Sequence, residues 1–131
     1  MSKPVVELAQ ILRQLDVSVR PGEYVYAVVD RGADLEGAAA MVSEEEGVTV
    51  VLPRPMADDR GIAYEFVAAW LTLTVHSALT AVGLTAAVAS ELARQGISCN
   101  VLAGAYHDHI LVPVAERDRA VAALRSLARA D

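Results

Sequence analysis

A chain of 131 residues with 54% hydrophobic and only 5% aromatic side chains builds an aliphatic core, and it has room for one domain or two very small, closely packed ones. A net charge of −6, with 11 Lys and Arg and no basic run, argues against a nucleic-acid partner. The lone Cys99 excludes an intramolecular disulfide and suits a reducing compartment, and the opening MSKPVVELAQ lacks an apolar signal segment, so the expected location is cytoplasmic.

Pro4–Leu15 reads as a helix. Leu8, Ile11, Leu12 and Leu15 share one face, Pro4 suits a first turn and Ser2 a cap. Asp16–Arg20 alternates Val17 and Val19 with polar neighbours, Pro21-Gly22 reads as a turn, and Tyr24–Val29 follows as a strand. Together they predict a hairpin. Asp34 is placed to cap a helix over Leu35–Glu45, with Leu35, Ala38, Ala39 and Val42 on its buried face and Gly47 ending it. Val48–Leu52 is a short apolar strand ended by Pro53 and Pro55. The stretch Pro53–Gly61, rich in proline, glycine and charge, is the best internal boundary, and Asp58-Asp59-Arg60 within it reads as linker.

Tyr64–Trp70 reads as either strand or loop. Phe66–Ser90 carries no Asp, Glu, Lys or Arg, yet Leu71, Leu73 and Val75 alternate with Thr72, Thr74 and His76, and Ser77 and Gly83 interrupt the run. That pattern is strand, turn and helix, not a membrane span. The expected elements are a strand Leu71–His76, a helix Leu84–Gln95 stopped by Gly96, strands Ser98–Ala103 and His109–Pro113, and a helix Ala115–Ala130. The first helix buries Leu84, Ala87, Val88 and Leu92, and the last buries Val121, Leu124, Leu127 and Ala128. The first half thus runs α-β-β-α-β and the second β-α-β-β-α. Each is one strand short of β-α-β-β-α-β, the first lacking its opening strand and the second its closing one. This is an internal repeat of element order. Pairing two such halves covers the sheet edge or helix face that each would leave bare.

The loop His76–Leu84 is the leading candidate site. Gly83 permits a positive φ or a close backbone approach, and Ser77 and Thr80 supply hydroxyls. A glycine-bearing loop that runs into a helix N-terminus offers N–H groups to a small carboxylate, although the same turn also serves simply to close strand–helix packing. Asn100 sits mid-strand, where asparagine is depleted. Its amide either meets an α-amino acid or ties down a neighbouring loop. In His107-Asp108-His109, a strand would put both imidazoles on one face and Asp108 on the other. With His76 as a third ligand, the cluster admits a metal-binding reading beside that of a hydrogen-bonded turn or polar pocket wall. Nothing marks Cys99 as a low-pKa thiolate, and His76 and Ser77 point apart with no nucleophile elbow around them. No phosphate-binding loop, HExxH or CxxC pattern occurs. The chain is therefore expected to be no enzyme, with no catalytic residues, cofactor or resident metal.

The stretch LTLTVHSALTAVGLTAAVASELARQGISCNVLA from Leu71, with ILVP and ERDRAVAAL downstream, resembles an ACT domain, the small amino-acid-sensing module. Leu71–Val75 matches its first strand, Val82-Gly83 its glycine loop, Leu84–Gln95 its helix, and Ile97-Ser98-Cys99-Asn100-Val101 its second strand. GISCNVLAGAYHDHI looks most like small bacterial proteins with two ACT-like halves and no catalytic domain, akin to the regulatory end of aspartokinases. The resemblance covers about residues 71–128 and is only topological over 5–53. It implies an α+β fold of two ferredoxin-like, ACT-like halves, 1–56 and 62–131, with antiparallel sheets backed by helices on one face. It also implies a small-molecule ligand, commonly an amino acid, meeting the backbone of Val82, Gly83 and Leu84. Lying between His76–Leu84 and Ser98–Val101, this ligand would also meet His76, Ser77, Asn100 and Val101. Edge-to-edge pairing into a homodimer and regulation of a partner follow from the same resemblance. Neither membrane nor nucleic acid is an expected partner.

Overall fold

The computed structural model describes residues 6–129. The expected cap Ser2, the first-turn Pro4 and the end of the last predicted helix at Ala130 lie outside the described residues. The elements are α1 (Leu8–Gln14), β1 (Val17–Val29), β2 (Ala40–Ser43), β3 (Val48–Pro53), α2 (Arg54–Asp59), β4 (Val67–Leu73), α3 (Leu84–Arg94), β5 (Asn100–Ala103), β6 (Asp108–Pro113) and α4 (Arg117–Arg129), the last preceded by a 3-10 turn Val114–Glu116. They gather into two compact units. A central unit spans Pro21–Ala69, and a terminal unit joins the residues up to Arg20 with those from Trp70 onward. β1 and β4 each contribute residues to both. The terminal unit is discontinuous in sequence and the central one continuous, whereas the halves 1–56 and 62–131 follow element order along the chain.

In the central unit the strands are ordered β2-β3-β1-β4. β1 runs antiparallel to β3 from Tyr24↔Pro53 to Val29↔Val48, and β2 pairs antiparallel with the other side of β3. Val25, Ala27, Val48, Val50, Leu52 and Ala57 form its core. Three expectations need correction here. Pro21-Gly22 makes no hairpin, because β1 is one strand with Gly22 at φ +87. A Pro-Gly pair suits a type II turn, whose twist splays paired strands. The β1–β3 register starts only at Tyr24, so Pro21, with no N–H to give, costs that ladder nothing. Leu35–Glu45 forms no helix. Asp34 Oδ1 accepts from Glu36 N–H at 2.9 Å in a local turn, Gly37 sits at φ +86, and Ala40–Ser43 becomes an edge strand on β3. Pro53–Gly61 is no linker. Its prolines open α2, Ala57 is fully buried, and Ile62 N–H returns to Ala57 O at 2.9 Å past Gly61.

In the terminal unit the order is β1-β4-β6-β5, with β5 antiparallel to β6. Val17–Arg20 of β1 lies beside β4 and supplies the closing strand that the second half lacks in its own sequence. β4 starts earlier than the expected Leu71, and Ala68–Leu71 is buried on both faces. α3 has the expected bounds within a residue and buries Leu84, Val88 and Leu92. α4 presents Ala120, Ala123 and Leu124 to the core, and Val121, Leu127 and Ala128 are only half-buried, so its buried face is rotated from the expected one. α1 packs on α3 and α4, with Ile11 and Leu15 buried. Each unit thus repeats the ferredoxin-like strand order, and the central one has a loop, residues 30–39, where the terminal one has α3.

Candidate functional site

β4 ends at Leu73, and Val75 is the last buried apolar residue before the chain turns outward through Ser77–Gly83. Gly83 takes φ +108 and is the N-cap of α3. Glycine is favoured by the conformation, and a Cβ here would sit 2.8 Å from Leu8 Cδ2, so the tip of that side chain on α1 would have to move. No side chain caps α3, and the first-turn N–H groups of a helix have no partner within it.

A hollow of about 150 Å³ opens at this corner. One wall is the loop, through Ser77, Ala78, Leu79 and Ala81. A second is the start of α3, through Gly83, Leu84 and Thr85. The third is the β5–β6 turn, through Ala103, Gly104 and Asp108. Ser77 is only 7% exposed, and its hydroxyl donates to Asp108 Oδ2 at 3.2 Å. Gly104 N–H donates to His107 O at 2.9 Å, which fixes the third wall.

Of the residues expected to meet a ligand, the structure gathers Ser77, Gly83 and Leu84 around this hollow. Val82 is 82% exposed and does not line it. His76 does not line it either, its ring lying 5.6 Å from that of Tyr106 and 6.5 Å from that of His107. Asn100 and Val101 pair with Leu111 and Ile110 on β6 and do not reach the hollow. Asp108, Thr85, Ala103 and Gly104 are additions. For Asp108 the signal was present, since strand alternation already put it opposite the two histidines.

His109 is occupied elsewhere. Trp70 Nε1–H donates to its Nδ1 at 3.1 Å, so that nitrogen bears no proton, and Thr72 Oγ1 lies 3.0 Å from it. Burial, then the nearby charges of Arg20 and His107, hold the pKa of His109 below the ordinary histidine value. The Arg20 guanidinium stacks 4.0 Å from the centre of the Trp70 ring. The metal reading of His76, His107 and His109 therefore fails on geometry. Among the described residues no three His, Cys, Asp or Glu side chains gather around one point. Burial pushes the Cys99 thiol pKa up, which is the direction of an inert thiol.

The central unit has two broader hollows. One, of about 730 Å³, lies along Tyr26, Tyr64 and Phe66, and another, of about 480 Å³, along Asp30, Asp34 and Arg60. Both are open to solvent, whereas the smaller hollow is more enclosed and brings an acid, hydroxyls and a helix N-terminus together. Convergent polar groups in an enclosed space are the better mark of a small-molecule site.

The ACT domain family matches this chain twice, over residues 3–69 and over 65–126. The chain belongs to the ACT domain family, whose members are typically small-molecule-binding regulatory modules. A Vibrio cholerae protein of unknown function, described as a possible transport protein, is 39% identical. That match covers 92% of this chain and 95% of the other with a TM-score of 0.82. The ligand-free regulatory subunit of aspartate kinase from Thermus thermophilus shares the fold at 11% identity and a TM-score of 0.61, over 85% of this chain and 95% of its own. Aspartokinase III of E. coli, solved with aspartate and ADP, shares it at 13% identity and a TM-score of 0.64, over 87% of this chain and 33% of its own. No curated protein matches the chain. No helix among the described residues is long and apolar enough to cross a membrane.

Proposed function

We propose that the protein is a non-catalytic regulatory module that binds an α-amino acid in the hollow between Ser77–Thr85 and the β5–β6 turn. The carrying observation is the polarity of that hollow. The uncapped N-terminus of α3 lies on one wall and the Ser77–Asp108 pair on another, which complements a zwitterion. Ser77, Gly83 and Leu84 are the binding residues within the C-terminal ACT domain, 62–131. His76, Val82, Asn100 and Val101 take part only if a second copy completes the site. The exposed Leu79 and Val82 beside the hollow support a homodimer as the working assembly. Cytoplasmic location and freedom from cofactors belong to the same reading. An amino acid that binds one arrangement of such a module more tightly shifts its population, and a partner can read that shift.

A thermal-stability screen of the twenty amino acids tests the proposal. A ligand at a hundred times its Kd adds about 2.7 kcal/mol of stability. No shift with any amino acid would leave the chain as an interaction module with a closed-up site.

A further inference from the structure

We infer that the hollow admits only the smallest α-amino acids, those of the glycine, alanine and serine class, one per chain, with the ligand ammonium held by Asp108. This deepens the reading just given and rests on it.

Size is the first ground. A cavity of about 150 Å³ holds a molecule about the size of benzene. That is space for a backbone zwitterion and one or two further atoms. Beside Leu79, Leu84 and Thr85, much of the lining is small, through Ala78, Ala81, Ala103 and Gly104. The last is fixed by its bond to His107 O, and a Cβ on it would lie 2.9 Å from that same oxygen.

Charge is the second ground. Asp108 accepts the hydroxyl of the buried Ser77 and still presents acceptor positions to the hollow. An ammonium fills them and donates to the Ser77 oxygen as well, and charge-assisted bonds of this kind are the strong ones.

The central unit supplies an internal control. Its β2–β3 turn has the same register, Ser43↔Val48 against Ala103↔Asp108, and the same closing bond, Glu44 N–H to Gly47 O at 2.9 Å. Val48 therefore stands where Asp108 does, and Glu44 where Gly104 does. Arg31 lies across the turn, donating to Ser43 Oγ at 2.9 Å and to the Glu44 carbonyl. That corner has Val48 and no acid at the position of Asp108, its Glu44 carboxylate accepts from Thr49, and it has no helix N-terminus to hold a carboxylate.

Isothermal titration of the full chain with glycine, alanine, serine, leucine and phenylalanine, and with ethylamine and propionate, tests the inference. The expected result is binding of at least one of the three small amino acids at one equivalent per chain, at least tenfold weaker binding of leucine and phenylalanine, and loss of binding for either one-ended analogue. Asp108→Asn, which keeps an acceptor for Ser77 and whose fold is checked by circular dichroism, should weaken the small ligand at least tenfold. Tight binding of leucine or phenylalanine, two equivalents per chain, or an unaffected Asp108→Asn would overturn the inference while leaving an amino-acid site standing. Absence of binding by every amino acid would overturn both.

Discussion

The β2–β3 and β5–β6 turns are one backbone device built twice, and they end in opposite environments. At the first, Val48 is 6% exposed and belongs to the core of the central unit, and Arg31 reaches over the turn. At the second, the equivalent Asp108 is half-buried and faces a hollow beside an uncapped helix. The difference is not in the strands, whose registers agree, but in the segment that precedes them. Residues 30–39 lie where α3 would be, so that turn meets a loop and an arginine, not an open helix end. Strand order sets where a corner falls, and the side chains at a few positions decide whether it is filled by the chain or left for a guest.

Exchanging the two side chains is the strongest way to break the comparison. Val48→Asp places an unpaired carboxylate in an apolar core and should cost at least about 3 kcal/mol. Asp108→Val removes a half-buried acid and leaves the Ser77 hydroxyl without its acceptor, which should cost about 1–2 kcal/mol. Urea denaturation of both variants measures the gap. Equal losses would mean that the two corners are not built for different occupants.

A second test sets two glycines side by side. Gly83→Val forces a β-branched residue into φ +108 and drives its Cβ into Leu8, for a loss of about 2–4 kcal/mol. Gly22→Ala pays only for its positive φ, since nothing lies within 4 Å of a Cβ there, and should lose about 1 kcal/mol. Shortening the partner as well, in Leu8→Ala with Gly83→Ala, should recover part of the Gly83→Ala loss. Strict additivity in that cycle would remove the α1 contact from the explanation.

What the sequence made legible was local. The apolar spacing of Leu84, Val88 and Leu92 between Gly83 and Gly96 specifies α3 with no help from elsewhere. Alternation in Leu71–Val75 correctly separated the buried Leu71, Leu73 and Val75 from Thr72 and Thr74. Failures came where a distant partner decides. Leu35, Ala38, Ala39 and Val42 fit a helical face, but the unpaired edge of β3 captures Ala40–Ser43 as a strand. The closing strand of the terminal unit comes from Val17–Arg20, at the other end of the chain, which no reading of element order along the sequence can anticipate. The site divides in the same way. Gly83 was legible from its place before a helix, whereas Ser77 meets Asp108 across 31 residues, a contact only the folded sheet creates.

The smallest expected effect separates two explanations for the single equivalent of ligand expected per chain, with none at the central corner. Either Arg31 plugs it, or it lacks an acid at the position of Asp108 and a helix end to begin with. Arg31 is exposed and gives hydrogen bonds to a hydroxyl and a carbonyl, so Arg31→Ala should change stability by less than about 1 kcal/mol. Stoichiometry is the sharper readout. With Val48 still in the position of Asp108, the variant should bind the same single equivalent of small amino acid as the unaltered chain. A second equivalent, measured by titration, would mean that the guanidinium and not the missing carboxylate had kept the central corner shut.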